Sequence, residues 1–262
     1  MRPPRLSART LGALISPRMY ALMFALAALA SALARSANAE PVQGSASAAF
    51  VTQTRAPGHF SGVALGLPAQ LALRLGSTES VTIETAASLL PLIETVVENG
   101  TLHIRAARRN VNIDTRRLKI VVQAKAIDKL TLGGSGAIEA DALRGAKVVI
   151  NLGGSGSINV KNIDSEVLLI NVGGSGKLTV GTGAAATMTL SQAGSGEVDL
   201  GRLQSVDASV NLAGSGDATL AVRRYLNVAI AGSGNVNYYG EPKLSNSVIG
   251  SGRARQVGAA PR

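Results

Sequence analysis

This 262-residue chain has no cysteine, no tryptophan, two histidines and only 3% aromatic residues. Without cysteine there can be no disulfide framework, no thiolate metal site and no lipidated cysteine at a processing site. His59 and His103 alone supply a zinc centre or a histidine-based catalytic triad poorly, and the chain implies no cofactor. Acidic residues are missing from positions 1–39, where Arg2, Arg5, Arg9, Arg18 and Arg35 all fall. After that stretch no apolar run approaches the roughly 20 residues a membrane-spanning helix needs. The mature chain is therefore expected to be soluble, with no transmembrane segment.

The basic start leads into the apolar run YALMFALAALASALA (20–34), which is short for a span, and then into Ala37-Asn38-Ala39. That order predicts a signal peptide over 1–39, cleaved after Ala39, followed by a flexible leader over 40–49. Export would place the mature protein in the periplasm or at the cell surface. Removing 1–39 takes away five of the 26 basic residues and none of the 16 acidic ones, so the formal charge drops from +10 to +5. Half of the apparent basicity belongs to the signal, and the high isoelectric point is no argument for nucleic acid.

What the chain has in quantity is glycine, 30 in all, and it is periodic. Gly-Ser-Gly recurs at 134–136, 154–156, 174–176, 194–196, 214–216, 232–234 and 250–252, spaced by 20 residues and, in the last two intervals, by 18. A fixed period in this range is the signature of a solenoid. Aligned on the tripeptide, apolar residues recur two and four positions before it (Leu132, Leu152, Val172; Leu130, Ile150, Ile170). They recur again after it (Ile138, Ile158, Leu178; Ala140, Val160, Val180), with polar or small residues between. Alternation on both sides of a glycine corner means strands with one buried face each, stacked about 4.8 Å apart from rung to rung. The fold class is all-β: a right-handed parallel β-helix, or single-stranded β-solenoid, of about 20 residues per rung with Gly-Ser-Gly corners. It is expected over 50–257, with a tail at 258–262. Segments such as KNIDSE (161–166) leave room for a third side or a loop, and Asn246 and Gln256 in apolar columns predict a terminal cap.

The corner itself reads as structural. A dinucleotide loop needs a third glycine three residues on and a helix behind it, and a calcium β-roll needs a nine-residue period with a recurrent Asp. Neither is present. Glycine is expected there because it alone takes positive φ without steric cost, and the stacked serines are expected to bond to one another or to nearby backbone. Before the ladder, residues 50–132 are β-like but less regular and read as the start of the same solenoid. Asn99-Gly100 between apolar runs predicts a hairpin, and ASLLPLI (87–93) a single helical turn.

The early FSGVALG, the VVENGTLHI hairpin, the LKIVVQA strand, the ladder LTLGGSGAIEA, INLGGSGSINV, INVGGSGKLTV and the ending NVNYYGEPKLSNSVIGSG together resemble one family. It is the family described as "putative auto-transporter adhesin, head GIN domain", formerly a domain of unknown function. The resemblance covers roughly 50–252 and implies a right-handed β-helix of bacterial envelope proteins. It carries over no site residues.

The residues themselves point weakly to a partner. Eight cations lie within 105–129: Arg105, Arg108, Arg109, Arg116, Arg117, Lys119, Lys125 and Lys129, against Asp114 and Asp128. For an exported protein the available anions are lipid headgroups and acidic glycans. The binding candidates are therefore Arg105, Arg108, Arg109, Arg116, Arg117 and Lys119, with Tyr239 as an outward-facing aromatic. The expected role is a non-catalytic, adhesin-like binding or structural module of the envelope. The alternative is a β-helical enzyme acting on an acidic polysaccharide, for which Glu197, Asp199 and Asp217 are the best carboxylates. Glu197 and Asp217 share a column on adjacent rungs, near enough for a catalytic pair.

Overall fold

The computed structural model describes residues 50–108 and 118–259. The expected signal peptide and leader, the candidates Arg109, Arg116 and Arg117, and residues 260–262 of the tail lie outside the described residues. The chain first forms β1 (Phe50–Arg55), β2 (Gly62–Leu65), β3 (Gln70–Leu75) and β4 (Ser80–Ala86). One 3-10 turn (Leu90–Leu92) follows, then β5 (Ile93–Glu98), β6 (Thr101–Ala106), β7 (Lys119–Ala124) and β8 (Lys129–Gly134). Five long rungs come next: β9 (Ala137–Gly154), β10 (Ser157–Gly174), β11 (Lys177–Gly194), β12 (Glu197–Gly214) and β13 (Asp217–Gly232). Then β14 (Asn235–Tyr239) and β15 (Lys243–Gly250) stack on β13, and β16 (Arg253–Gly258) stacks on β14. All sixteen strands join one sheet, wound as a β-solenoid of about 6 turns with ~20 residues per turn.

From β9 to β12, rung stacks on rung in parallel and at constant register: Ile158 faces Ile138 and Leu178, and Ile170 faces Ile150 and Leu190. Each long rung has three paired sides. In β10 these are 157–160, 162–165 and 167–174. The room left for a third side is therefore filled by strand and not by a loop, because Ile163 and its counterparts Leu143 and Leu203 are buried and need the interior. The alternation expected from the sequence holds through this stack. Leu130, Ile150, Ile170, Leu190, Val210 and Val228 are all fully buried and form one continuous core with the N-terminal strands.

The N-terminal half belongs to the same sheet but does not follow sequence order. The turn made by β2 and β3 is inserted between β6–β7 and β8–β9, pairing in parallel with both. β4 then runs antiparallel on β7 and carries β1 on its outer edge, while β5 and β6 form the predicted hairpin. Its turn, Asn99 at φ 50° and Gly100 at φ 71°, has the paired positive angles of a tight two-residue connection. Asp141 ties the two halves together, accepting from Arg74 at 2.7 Å on β3 and from Lys161 at 2.8 Å on β10. The hydrogen bond from Lys161, then that from Arg74, holds its carboxyl below the usual carboxylate range. A depressed folded-state pKa supplies stability above the unfolded value and loses it as pH falls through the folded value. Asp141→Asn should therefore cost no more than about 1 kcal/mol at neutral pH, since the pair is partly exposed. The difference should vanish in acid, and urea melts at both pH values would measure it.

The corners explain the glycines. The first Gly of every Gly-Ser-Gly has positive φ, from 101° at Gly134 to 135° at Gly232. Consecutive corners are in backbone contact: Ser155 and Gly156 both donate their N–H to the carbonyl of Gly134, at 3.1 and 3.0 Å. The serine side chains do not form the expected ladder. Ser155, Ser175 and Ser195 are exposed. It is the corner's backbone amides that reach the rung before, which leaves the hydroxyls to solvent.

One core position departs from the pattern. Gln192 stands in the column of Leu152, Val172 and Leu212 and is 2% exposed. Its Nε2 donates to the carbonyl of Gly196 at 2.5 Å, and its Oε1 has no partner. A buried acceptor left unpaired costs about 1–3 kcal/mol, and the Gly196 carbonyl also accepts from Asp217 N–H at 3.2 Å. Gln192→Leu should thus stabilise the fold by about 1 kcal/mol, read as a higher denaturant midpoint at unchanged slope.

At the far end, Asn246 and Gln256 do occupy the last apolar columns, and Gln256 Nε2 donates to the carbonyl of Gly240 at 2.7 Å. Lys243, Arg253 and Arg255 line this terminal turn, where charge discourages edge-to-edge pairing.

Candidate functional site

The basic candidates divide on inspection. Arg105 is held on its own hairpin: Nε donates to Glu94 at 2.8 Å and Nη2 to Glu98 at 2.8 Å. The hydrogen bonds it donates to Glu94 and then to Glu98 raise its pKa, and the bond from Arg105 lowers that of Glu98. Its charge is largely matched by β5, which lessens its reach toward an outside anion. Lys119 is exposed and stands in register opposite Glu84. Arg108 is exposed just beyond β6. The structure does not bring Arg105 and Lys119 near Tyr239, which lies on the penultimate rung.

Tyr239 instead joins the three carboxylates. It lines a shallow cleft of about 550 Å³ with Glu197, Asp199, Asp217, Arg202, Thr219 and Asn237. The cleft exists because the repeat shortens there. From β12 to β13 the register is regular through Leu200 opposite Leu220 and resumes with Gln204 opposite Ala221. Gly201, Arg202 and Leu203 are thereby left without partners on the next rung. One extra residue before Tyr225 restores the register, so the turn is 18 residues long and not 20. Leu203 turns inward and is fully buried, and Arg202 projects outward. Gly201 sits beneath the ring of Tyr239: a β-carbon there would lie 3.1 Å from Tyr239 Cε2 and 3.3 Å from Asp199 Oδ1. The absence of a side chain at 201 leaves room for this close approach of the ring. Tyr238 packs on the core and Tyr239 faces out, as the alternation predicts.

Each carboxylate already has a protein donor. Both oxygens of Glu197 accept from Lys177 Nζ at 3.0 Å. Asp199 Oδ1 accepts from the Gly201 N–H at 3.0 Å. Asp217 Oδ1 accepts from the backbone and side-chain N–H groups of Asn235, at 2.9 and 3.0 Å. A glycosidase needs one carboxyl kept protonated and another ionised by contrasting environments. Here all three face solvent beside N–H donors, an arrangement suited to accepting hydrogen bonds. No group of three or more His, Asp or Glu that could hold a metal ion occurs among the described residues.

Sequence reasoning named the three carboxylates and Tyr239 separately but missed Arg202, Thr219, Asn237 and Gly201. The signal available was the change in period from 20 to 18. A second, more open groove runs beside Tyr225, where Arg224 lies 5.2 Å from the ring centre and is paired with Asp207.

Fold and site together define a β-solenoid with an open cleft on its surface. The chain belongs to the family described as "Putative auto-transporter adhesin, head GIN domain", whose model matches residues 59–242. No curated protein matches it. Among solved structures it is similar to a "putative adhesin" from Bacteroides fragilis NCTC 9343, with a TM-score of 0.74 and 19% identity over 80% of this chain and 97% of that one. It is also similar to a "putative lipid binding protein" from Parabacteroides distasonis ATCC 8503, with a TM-score of 0.66 and 23% identity over 79% and 96%. A "putative adhesin" from Parabacteroides merdae ATCC 43184 gives a TM-score of 0.63 and 18% identity over 79% and 96%. At these identities the likeness concerns the fold. No helix among the described residues is long and apolar enough to cross a membrane.

Proposed function

We propose that the protein is a non-catalytic binding module of the bacterial envelope, which presents one rigid sheet face to a partner at the cell surface. The observation that carries this reading is the parallel ladder from β9 to β13, in register except at the break between β12 and β13, which holds exposed side chains in fixed rows. Three things support it: membership of an adhesin-named family, similarity to structures with adhesin names, and a basic, apolar, Ala-Asn-Ala start of the kind that directs export. The name of the Parabacteroides distasonis structure adds a lipid surface to the candidate partners. The basic segment around Arg108 would then act as an electrostatic foot on anionic headgroups or glycans, and arginine suits phosphate because its planar fork donates two bonds.

Co-sedimentation of residues 40–262 with isolated envelopes, and with phosphatidylglycerol and phosphatidylcholine vesicles at two salt concentrations, tests both parts. Binding should favour the anionic vesicles and weaken as salt rises, since screening acts over about 10 Å at 0.1 M. Replacing Arg108, Arg109, Arg116 and Arg117 by Ala should abolish that preference. Equal binding to both vesicles would reject the electrostatic foot, and no binding to envelopes would reject the module.

A further inference from the structure

We propose that the cleft at the shortened rung is a saccharide subsite, which takes a neutral sugar unit of a surface glycan. This deepens the reading of the protein as a non-catalytic binding module and rests on it. A sugar ring offers hydroxyl groups that both donate and accept hydrogen bonds, and a C–H face that stacks on an aromatic ring. A complementary site therefore needs acceptors, donors and one exposed ring on a rigid base.

The cleft brings these together. Asp199 and Asp217 each use Oδ1 for a protein N–H, and Oδ2 of both has no protein hydrogen bond among the described residues. Arg202 projects from the unpaired segment at the rim and makes no ion pair among the described residues, so its five donors are available. Tyr239 supplies the ring, set close against Gly201, where a β-carbon would stand 3.1 Å from its Cε2. The remaining walls, Thr219 and Asn237, are hydrogen-bonding side chains on successive rungs. Rung spacing of about 4.8 Å sets the interval between these groups. The volume of about 550 Å³ falls within the roughly 300–1,000 Å³ of small-molecule sites, and the open side leaves a path for the rest of a glycan chain.

Charge decides against an acidic sugar at this position. Three carboxylates line the cleft beside Arg202, and Lys177 is already engaged with Glu197. Arg253 and Arg255 lie one rung further on, opposite Asn235 and Asn237. A uronate in this cleft would share it with Glu197, Asp199 and Asp217 against one lining cation, Arg202, that is unpaired among the described residues, and like charges at close range repel. The cleft and the basic segment near Arg108 are thus separate features with opposite charge preferences.

Saturation-transfer NMR on residues 40–262 provides the test, with maltotriose, cellotriose and tri-N-acetylchitotriose as neutral probes and trigalacturonate as the acidic one. At least one neutral trisaccharide should bind with a millimolar constant. Tyr239→Ala should weaken that binding about tenfold, the scale of one lost stacking contact, and Asp199→Asn, Asp217→Asn and Arg202→Ala should each weaken it too. The last three change exposed groups, so they decide the matter should Tyr239→Ala fold poorly. Preference for trigalacturonate, absence of neutral-sugar binding, or binding that none of the four substitutions alters would overturn the subsite. Retained envelope binding without sugar binding would reject the subsite and leave the binding module standing. New reducing ends released from a bound trisaccharide would instead reject the non-catalytic reading.

Discussion

Gly174→Val is expected to destabilise the protein by about 3 kcal/mol or more, and Ser155→Ala by about 0.5 kcal/mol or less. The contrast follows from what each residue meets. Gly174 has φ of 105°, and a β-carbon there would collide with the carbonyl oxygen of Gly154 on the rung before. The clash is with backbone that is itself held by hydrogen bonds to the next corner, among them Ser175 N–H to the Gly154 carbonyl at 3.0 Å. No rotamer relieves it, and moving the corner would pull the ladder out of register on both sides. Ser155 sits in the same motif, but its side chain is exposed and its contribution is a backbone N–H that alanine keeps. Denaturant melts of the two variants beside the parent would measure the difference. A neutral Gly174→Val would mean that the corner is not the backbone contact described, and a large loss of partner binding in Ser155→Ala would make the tripeptide a recognition motif.

Deletions should separate even more widely. Excising 161–180 joins Val160 to Gly181, and the fused rung keeps every register relation, because Val160 pairs with both Ala140 and Val180 and Asn162 pairs with both Ala142 and Thr182. The shortened protein should fold cooperatively, with lower stability and a smaller denaturant slope, since solenoid stability is close to a sum over rungs and their interfaces. Deleting Asn159 alone should prevent cooperative folding. One residue lost within a side turns the following side chains to the opposite face, which puts Val160 in solvent and Lys161 in the core column. Circular dichroism and urea melts would show a cooperative transition for the long deletion and none for the short one. The reverse outcome would mean that rung register does not organise the fold.

Which features were open to sequence reasoning follows from the range of the physics. The rung period, the inward columns and the glycine corners are set by strict alternation and by one steric rule about positive φ, both local, so the sequence alone places Leu130, Ile150 and Ile170 inside. The Asn99-Gly100 hairpin and the inward and outward placing of Tyr238 and Tyr239 are local in the same sense. The third side of each rung was harder to read, because 161–166 alternates weakly and becomes strand only through its neighbours above and below.

The order of the N-terminal turns could not be read at all. Inserting β2 and β3 between β6–β7 and β8–β9 is a choice among long-range pairings of similar strands, which no short window of sequence distinguishes. The cleft shares that origin. The change in period from 20 to 18 was visible in the chain, but nothing local says where two residues are removed. Tertiary pairing decides it by keeping Leu220 under Leu200 and Val222 under Ser205, at the expense of partners for Gly201 and Arg202. The loss of those partners is what lays Tyr239 beside Asp199 and Asp217. The sequence by itself determined the rung, its faces and its corners, because each depends on residues a few positions apart. Only the tertiary structure decided which turns are neighbours and where the stack breaks step, because those outcomes depend on competition between strands far apart in the chain.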